Sequence, residues 1–424
     1  MKIYNYKDID LKEIVRRSED DVTNVIPIVS DILEDIKLNK DDAVKKYTEK
    51  FDKVKIDNLK VTDKEIKESY ENLDDKLIEA LRKASLNIQK FHKKEIPEEW
   101  EIEISPGVKG GQIIRPLNIV GCYIPGGRAP YPSTILMTII PAKIAGVEKV
   151  IACTPPQANG KVADAILVAA DIAGADEIYK VGGSQAIGAM AYGTESVPKV
   201  EKVVGPGNIF VTAAKKLVYG DIDIEFPAGP SEVLIIADDT ADPEFIGYDI
   251  LSQGEHDPNA SCFLVTTSKQ IATKSLKEIK EKTEVSKRKE VIEESLLKYG
   301  KIILTENLDE AIEVSNEYAP EHLIIATKEN EKVLKKIKNA GSIFLGNYSP
   351  VACGDYGSGT NHVLPTAGGA RMYSGLSTED FLKKPTVQTI TKEGLEKLAD
   401  TCIPIAEYEG FYAHADSIKS RLKK

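Results

Sequence analysis

From Ile119 to Leu345 the chain alternates short apolar runs with longer stretches of helical pattern, and this alternation restricts the fold more than any other feature. Ile119-Val-Gly-Cys-Tyr-Ile124 reads as a strand that ends in the turn Pro125-Gly-Gly127. A helical run follows through Leu136 to Ala145. Next come a strand at Lys149–Cys153, a helix near Ala163–Ala173, a strand at Glu177–Val181, a helix from Gln185, a strand at Lys202–Val204 and a helix from Asn208. A second series places strands at Glu232–Ala237, Cys262–Thr266, Ile302–Leu304, His322–Ala326 and Ser342–Leu345, again separated by helical patterns. Repetition of this kind builds mostly parallel sheets covered by helices. The first hundred residues read as helical and charged, with Ile32, Leu33, Ile36, then Ala43, Val44, Tyr47 and Phe51 at helical spacing, and Pro97 closes that region. After Gly375 the tail reads as helix-rich. The expected fold class is α/β: two α/β units, a helical N-terminal region and a C-terminal arm.

At 424 residues the chain is long enough for two sizeable cores. Its net charge of −11 disfavours broad binding to nucleic acid or an anionic membrane. The five cysteines, Cys122, Cys153, Cys262, Cys353 and Cys402, are scattered and form no Cys-x-x-Cys pair, which suits a reducing compartment better than a disulfide or thiolate-zinc scaffold. There is no apolar segment at the N-terminus and no run long enough to span a bilayer, so the expected location is the cytoplasm.

Only five histidines occur, and four of them lie in the second half beside acids, amides and glycines: His256, His322, His362 and His414. Imidazole is the commonest metal ligand and the usual proton carrier near neutral pH. Gln253 and His256, three residues apart on a predicted helix, project from one face, and an amide oxygen plus an imidazole suits an open, non-thiolate divalent-metal site. Asp355 falls in a glycine-rich segment read as a loop. Glu321-His322 opens the apolar run His-Leu-Ile-Ile-Ala, where core packing gives little reason for a charged pair; a general base must hold or pass a proton near neutral pH, and histidine does so. His92, in a charged helical stretch, reads as a surface residue.

Three glycine-bearing turns, Pro125-Gly-Gly127, Gly182-Gly-Ser-Gln185 and Gly357-Ser-Gly359, accompany apolar runs, and Gly205-Pro-Gly-Asn-Ile-Phe210 comes close to a dinucleotide fingerprint with Phe in place of its third glycine. Each alone is an ordinary tight turn. On successive β-α units they favour a nucleotide site, since ligands in such folds bind beyond the carboxyl ends of the strands and helix N-termini favour anions. From the residues alone, a zinc hydrolase and a non-catalytic nucleotide-binding protein stay open beside an oxidoreductase.

Gly121-Cys-Tyr-Ile-Pro-Gly-Gly127, Gly205-Pro-Gly-Asn208, Pro227-Ala-Gly-Pro-Ser231, Ser252-Gln-Gly-Glu-His256, Pro320-Glu-His-Leu323, Gly354-Asp-Tyr-Gly-Ser-Gly-Thr-Asn-His-Val-Leu-Pro365 and Ala413-His414 together, in this order, resemble the histidinol dehydrogenase family. Two departures, Ala319 before Pro-Glu-His and Gly254 after Gln253, remove no functional group. The resemblance implies two incomplete Rossmann-like domains and a zinc-dependent, NAD-linked enzyme that oxidises L-histidinol to L-histidine through a bound aldehyde. It implies Gln253, His256, Asp355 and His414 as zinc ligands and Glu321 and His322 as the catalytic pair. Ser231, His362 and Glu409 would be substrate contacts, with Gln253, His256, His322, Asp355 and His414 lining the same site. Tyr123, Gln185 and Asn208 would contact NAD. The family is homodimeric, with the C-terminal arm reaching the partner's site. The expected division is an N-terminal helical segment (1–24), a discontinuous metal and catalytic domain (25–122 and 233–375), an inserted NAD-binding domain (123–232) and a dimerisation arm (376–424).

Overall fold

The computed structural model describes residues 1–15, 22–126, 130–226 and 229–423. Gly127, Pro227 and Ala228, which belong to motifs quoted above, lie outside the described residues. The chain forms two compact units, one made of 1–95 with 118–381 and the other of 96–117 with 382–424.

The first unit carries two parallel sheets. One has five strands in the order Glu177–Lys180, Lys149–Thr154, Ile119–Tyr123, Lys202–Val204, Asp223–Ile224. The other has six, in the order Lys2–Asn5, Gly300–Leu304, Ser261–Thr266, Glu232–Ala237, His322–Ala326, Ser342–Leu345. The inner strands Glu232–Ala237, Ser261–Thr266 and His322–Ala326 are buried at every position. They are read in sequence as continuous apolar runs because helices cover both faces of a parallel sheet. Val233, Ile235, Leu264, Ile302 and Ile324 feed the core on one face, and Leu234, Ile236, Phe263, Val265 and Leu323 feed the core on the other. The mixed α/β class expected from the sequence is therefore the class observed.

Three features differ from the sequence reading. Lys2–Asn5 is a strand, short and mostly exposed at the sheet edge, so it lacks the apolar signature of the inner strands. The second unit is not purely helical. Trp100–Ser105, Val108–Gln112 and Thr386–Ile390 form a three-stranded antiparallel sheet, Arg115–Pro116 pairs with Leu382–Lys383, and the helices Lys392–Tyr408 and Tyr412–Leu422 follow. Gly107, at φ 82°, makes the tight reversal between the first two strands, and a Cβ there would come within 2.5 Å of Thr391 Oγ1.

Finally, His92 is not on the surface. It is fully buried at the end of helix Asp75–His92, on the face that also buries Leu81, Ala84, Ser85 and Ile88. Its neighbours Lys90, Lys93 and Lys94 disguised that periodicity. Burial is tolerated because Nδ1 lies 2.6 Å from Glu95 Oε2 and Nε2 lies 3.4 Å from Asn361 Nδ2. Among the described residues no helix is long and apolar enough to cross a membrane.

Candidate active site

Both sheets of the first unit contribute to a cavity of about 800 Å³ lined by Ser231, Gln253, His256, Glu321, His322, Asp355, His362 and Asn208, among others. That volume suits a small molecule. The five-stranded sheet supplies it from the carboxyl ends of its strands, as expected of parallel sheets: Pro125 follows Ile119–Tyr123, and Pro206–Asn208 follow Lys202–Val204. The six-stranded sheet supplies it from its amino ends, since Ser231 precedes Glu232–Ala237 and Glu321-His322 opens His322–Ala326.

Glu321 and His322 are held by the backbone of one neighbouring residue. The Glu232 N–H donates to Glu321 Oε2 at 2.7 Å, and the Glu232 carbonyl accepts from His322 Nδ1 at 3.0 Å. Parallel pairing of Val233 with His322 sets that register. With Nδ1 donating, Nε2 is the ring nitrogen left for chemistry; it has no hydrogen-bond partner among the described residues and lies 3.7 Å from Asp355 Oδ1. Nδ1 is also 3.5 Å from Glu321 Oε2. Burial lowers the His322 pKa, but the nearby negative charges of Glu321 and Asp355 outweigh it and raise it to about 10. Burial likewise raises the Asp355 carboxyl, yet His322, His362 and His256 hold it below the usual carboxylate range. One carboxylate thus sits among three imidazoles.

The local structure around the candidate metal ligands departs from the sequence reading. Helix Pro243–Gly254 ends just after Gln253, and His256 lies in the turn beyond it, its N–H on the Gln253 carbonyl at 3.2 Å. The weak helix former Gly254 stops the helix there, and the turn still brings both side chains to the cavity. Asp355 is not in a loop but in the short helix Val351–Tyr356. Gly354 lets that helix lie against Phe344, since a Cβ would stand 2.7 Å from its ring. Among the described residues no group of three or more His, Cys, Asp or Glu side chains is placed to hold a metal. The first unit offers one imidazole, one carboxylate and the amide of Gln253, which is 2% exposed. Such a set fits a divalent cation in an open site with positions left for other ligands. Glu409 and His414 belong to the second unit: Glu409 caps helix Lys392–Tyr408, and His414 is exposed on helix Tyr412–Leu422.

His362 is fixed at both ring nitrogens, Nδ1 donating to the Asp355 carbonyl at 3.0 Å and Nε2 lying 3.2 Å from Thr134 Oγ1. Thr134, in the first turn of helix Pro132–Ala145, also lines the cavity. No sequence signal distinguishes it from other helical threonines.

The candidate nucleotide residues lie at or just beyond the carboxyl ends of strands of the five-stranded sheet, Tyr123 as the last residue of its strand, but only Asn208 lines the cavity. Asn208 caps helix Ile209–Val218, accepting from the N–H groups of Phe210 (3.0 Å) and Val211 (3.2 Å). The Tyr123 hydroxyl accepts from Gly183 N–H at 3.1 Å, tying two of the turns together. Gln185 is 1% exposed and neither atom of its amide has a partner among the described residues. A buried amide in that state is one a ligand can satisfy, so these turns fit a dinucleotide. Phe210 stands at the third fingerprint position partly exposed, where no close helix–strand approach demands glycine. Cys122 and Cys153 are buried, and burial pushes the Cys122 thiol up to about 12, which agrees with leaving both out of the chemistry.

The family model for histidinol dehydrogenase matches residues 15–422. A histidinol dehydrogenase of Methanothermobacter thermautotrophicus is 57% identical over 423 residues, covering 100% of this chain and 99% of that one. One from Methanococcus maripaludis is 55% identical, covering 99% and 98%. The crystal structure of histidinol dehydrogenase from Elizabethkingia anophelis superposes with a TM-score of 0.95 at 42% identity, over 100% of this chain and 98% of that one. With a catalytic-type acid–imidazole pair and the motifs from Gly121 to His414 in place, the chain belongs to the histidinol dehydrogenase family, whose members are oxidoreductases acting on CH–OH groups.

Proposed function

We propose that this protein oxidises L-histidinol to L-histidine, the last step of histidine biosynthesis, in two NAD⁺-linked steps through bound L-histidinal, with zinc required. The observation that carries this reading is the convergence of Glu321 and His322 with Gln253, His256 and Asp355 on one cavity. Gln253, His256 and Asp355, completed by His414 of a second subunit, would hold the zinc, which would supply a fixed point for orienting the nitrogen-bearing substrate. Tyr123, Gln185 and Asn208 would hold NAD⁺, which would supply the hydride acceptor for each oxidation.

His322 acts through Nε2, taking the proton of the substrate hydroxyl in the first oxidation. With Asp355 committed to a cation, one of the two carboxylates that hold a proton on His322 is withdrawn, which lowers its pKa and frees Nε2 to accept a proton. Glu321 removes a proton from water as it adds to the aldehyde, His322 returns its proton to the aldehyde oxygen to give the hydrate, and His322 then takes the hydroxyl proton of that hydrate in the second oxidation. Ser231, His362 and Glu409 contact substrate, and His362 is held for this by Thr134 and the Asp355 carbonyl. Burial of Glu321 and His322, at 5% exposure each, keeps bulk water from the aldehyde. In the proposed division of labour, 123–232 bind the dinucleotide, 25–122 and 233–375 carry metal and catalysis, 1–24 form an N-terminal segment that opens with the edge strand Lys2–Asn5, and 376–424 form the arm of a cytoplasmic homodimer in which Glu409 and His414 act in trans.

The test is an assay of purified protein with L-histidinol and NAD⁺, with and without a chelator. Two NADH per histidinol, abolished by chelation and restored by zinc, is expected. One NADH per histidinol, or indifference to chelation, contradicts the corresponding part of the proposal.

A further inference from the structure

Outside the groups assigned above, one residue of the cavity wall, Glu225, forms a buried ion pair with Lys215 behind it. Lys215 Nζ lies 2.5 Å from Glu225 Oε1, and the two side chains are 4% and 2% exposed. Both residues also grip Gly205: its N–H donates to Glu225 Oε1 at 2.8 Å, and Lys215 Nζ donates to its carbonyl at 3.1 Å. Gly205 has φ 121°, and a Cβ there would fall 2.0 Å from the Tyr123 carbonyl oxygen. The pair therefore clamps the turn Gly205–Asn208 against the end of strand Ile119–Tyr123. All of this chemistry uses one oxygen of the carboxylate. The other, Glu225 Oε2, is buried and has no partner among the described residues, although Glu225 lines the cavity alongside Asn208, Thr212, Lys216 and Phe226. An ionised oxygen withdrawn from water and left without a donor is unfavourable unless a ligand supplies one.

We propose that Glu225 Oε2 is the acceptor for a hydroxyl or amino donor of the dinucleotide, so that Glu225 both positions the Gly205–Asn208 turn and selects its ligand. The proposal rests on the NAD⁺ reading above. Candidate donors are a ribose hydroxyl, the carboxamide amino group and the adenine amino group. A phosphate in that position would meet a carboxylate and be refused.

The experiment measures NAD⁺ binding to the zinc-loaded full-length protein by calorimetry, for wild type and Glu225→Gln. Glutamine keeps an oxygen for Lys215 and Gly205 but turns a donor toward the cavity. Dissociation constants are also measured for analogues lacking one donor each: the acetylpyridine dinucleotide, the hypoxanthine dinucleotide and deoxyribose forms. A loss of about 10- to 100-fold for NAD⁺ in Glu225→Gln is expected. One analogue should bind wild type as weakly as NAD⁺ binds the variant, and lose nothing further in the variant. Unchanged NAD⁺ affinity in Glu225→Gln overturns the proposal, as does an equal loss for NAD⁺ and every analogue, which marks a purely structural role. If the variant does not fold, the analogue series on wild type decides: no weakening by any deletion overturns the assignment, and weakening confined to one deletion supports it. Absence of NAD⁺ binding by wild type would instead overturn the proposed function, and this assignment with it.

Discussion

Under the proposed mechanism, replacing Glu321 by glutamine should separate the two oxidations. Glutamine has the size of glutamate and keeps one oxygen to accept the Glu232 N–H that now reaches Oε2 at 2.7 Å, so the strand mouth keeps its shape. What is lost is the ability to take a proton from water. A positioned general base contributes about 10²- to 10⁴-fold, or roughly 3–5 kcal/mol of barrier. Only the second oxidation needs activated water, so aldehyde oxidation should fall by about that factor. Alcohol oxidation should fall by less than about tenfold, through the altered surroundings of His322, whose Nδ1 is 3.5 Å from Glu321. The assay is single-turnover NADH formation from L-histidinol, followed by steady-state oxidation of supplied L-histidinal, each at saturating NAD⁺. Equal loss in the two reactions would refute the role given to Glu321, and loss confined to the first would reverse the assignments of the pair.

Mixing His414→Asn with Glu321→Gln subunits should restore activity, since in a heterodimer with exchanged arms about one site in two regains both groups; confirmed heterodimers without activity argue against a shared site. Asp249, with burial as its one resolved influence, has its pKa raised to about 7 from an ordinary 3.8. The folded state therefore binds a proton that the unfolded state has lost, and stability declines as pH rises from the ordinary carboxylate value through about 7. Asp249→Asn should stabilise by about 4 kcal/mol at pH 8 and by about 2 kcal/mol at pH 5. Urea melts at the two pH values check this, and a pH-independent difference contradicts it. Gly205→Ala should destabilise by about 1–3 kcal/mol, because φ 121° is strained for alanine and its Cβ meets the Tyr123 carbonyl; an unchanged urea midpoint would show that the turn relaxes freely.

The inner strands were legible in sequence because burial on both faces writes them as unbroken apolar runs. Lys2–Asn5 was hidden because an exposed edge strand needs few apolar residues. Trp100-Glu-Ile-Glu-Ile104 does alternate with the period of a strand, but its apolar residues are exposed and its sheet closes only through Thr386–Ile390, far away in sequence. At the candidate site, Gln253, His256, Asp355, Glu321 and His322 stood out by residue type and family pattern, while their backbone settings did not: one helix stops early at Gly254, and another forms within a glycine-rich segment. His92 was misread although Leu81, Ala84, Ser85 and Ile88 shared its face. Thr134 and Glu225 carried no local signal, because their roles arise from contacts with residues 228 and 20 positions away.

Glu232 bears on how this centre tolerates genetic drift. Its backbone N–H and carbonyl, not its carboxylate, hold Glu321 and His322, whereas its side chain accepts from Ala367 N–H. A missense change at 232 consequently disturbs the Ala367 segment before it disturbs the proton-handling pair. The pair is vulnerable instead to insertions or deletions in either neighbouring strand, since a slip of one residue would carry the anchoring amide out of reach of both side chains.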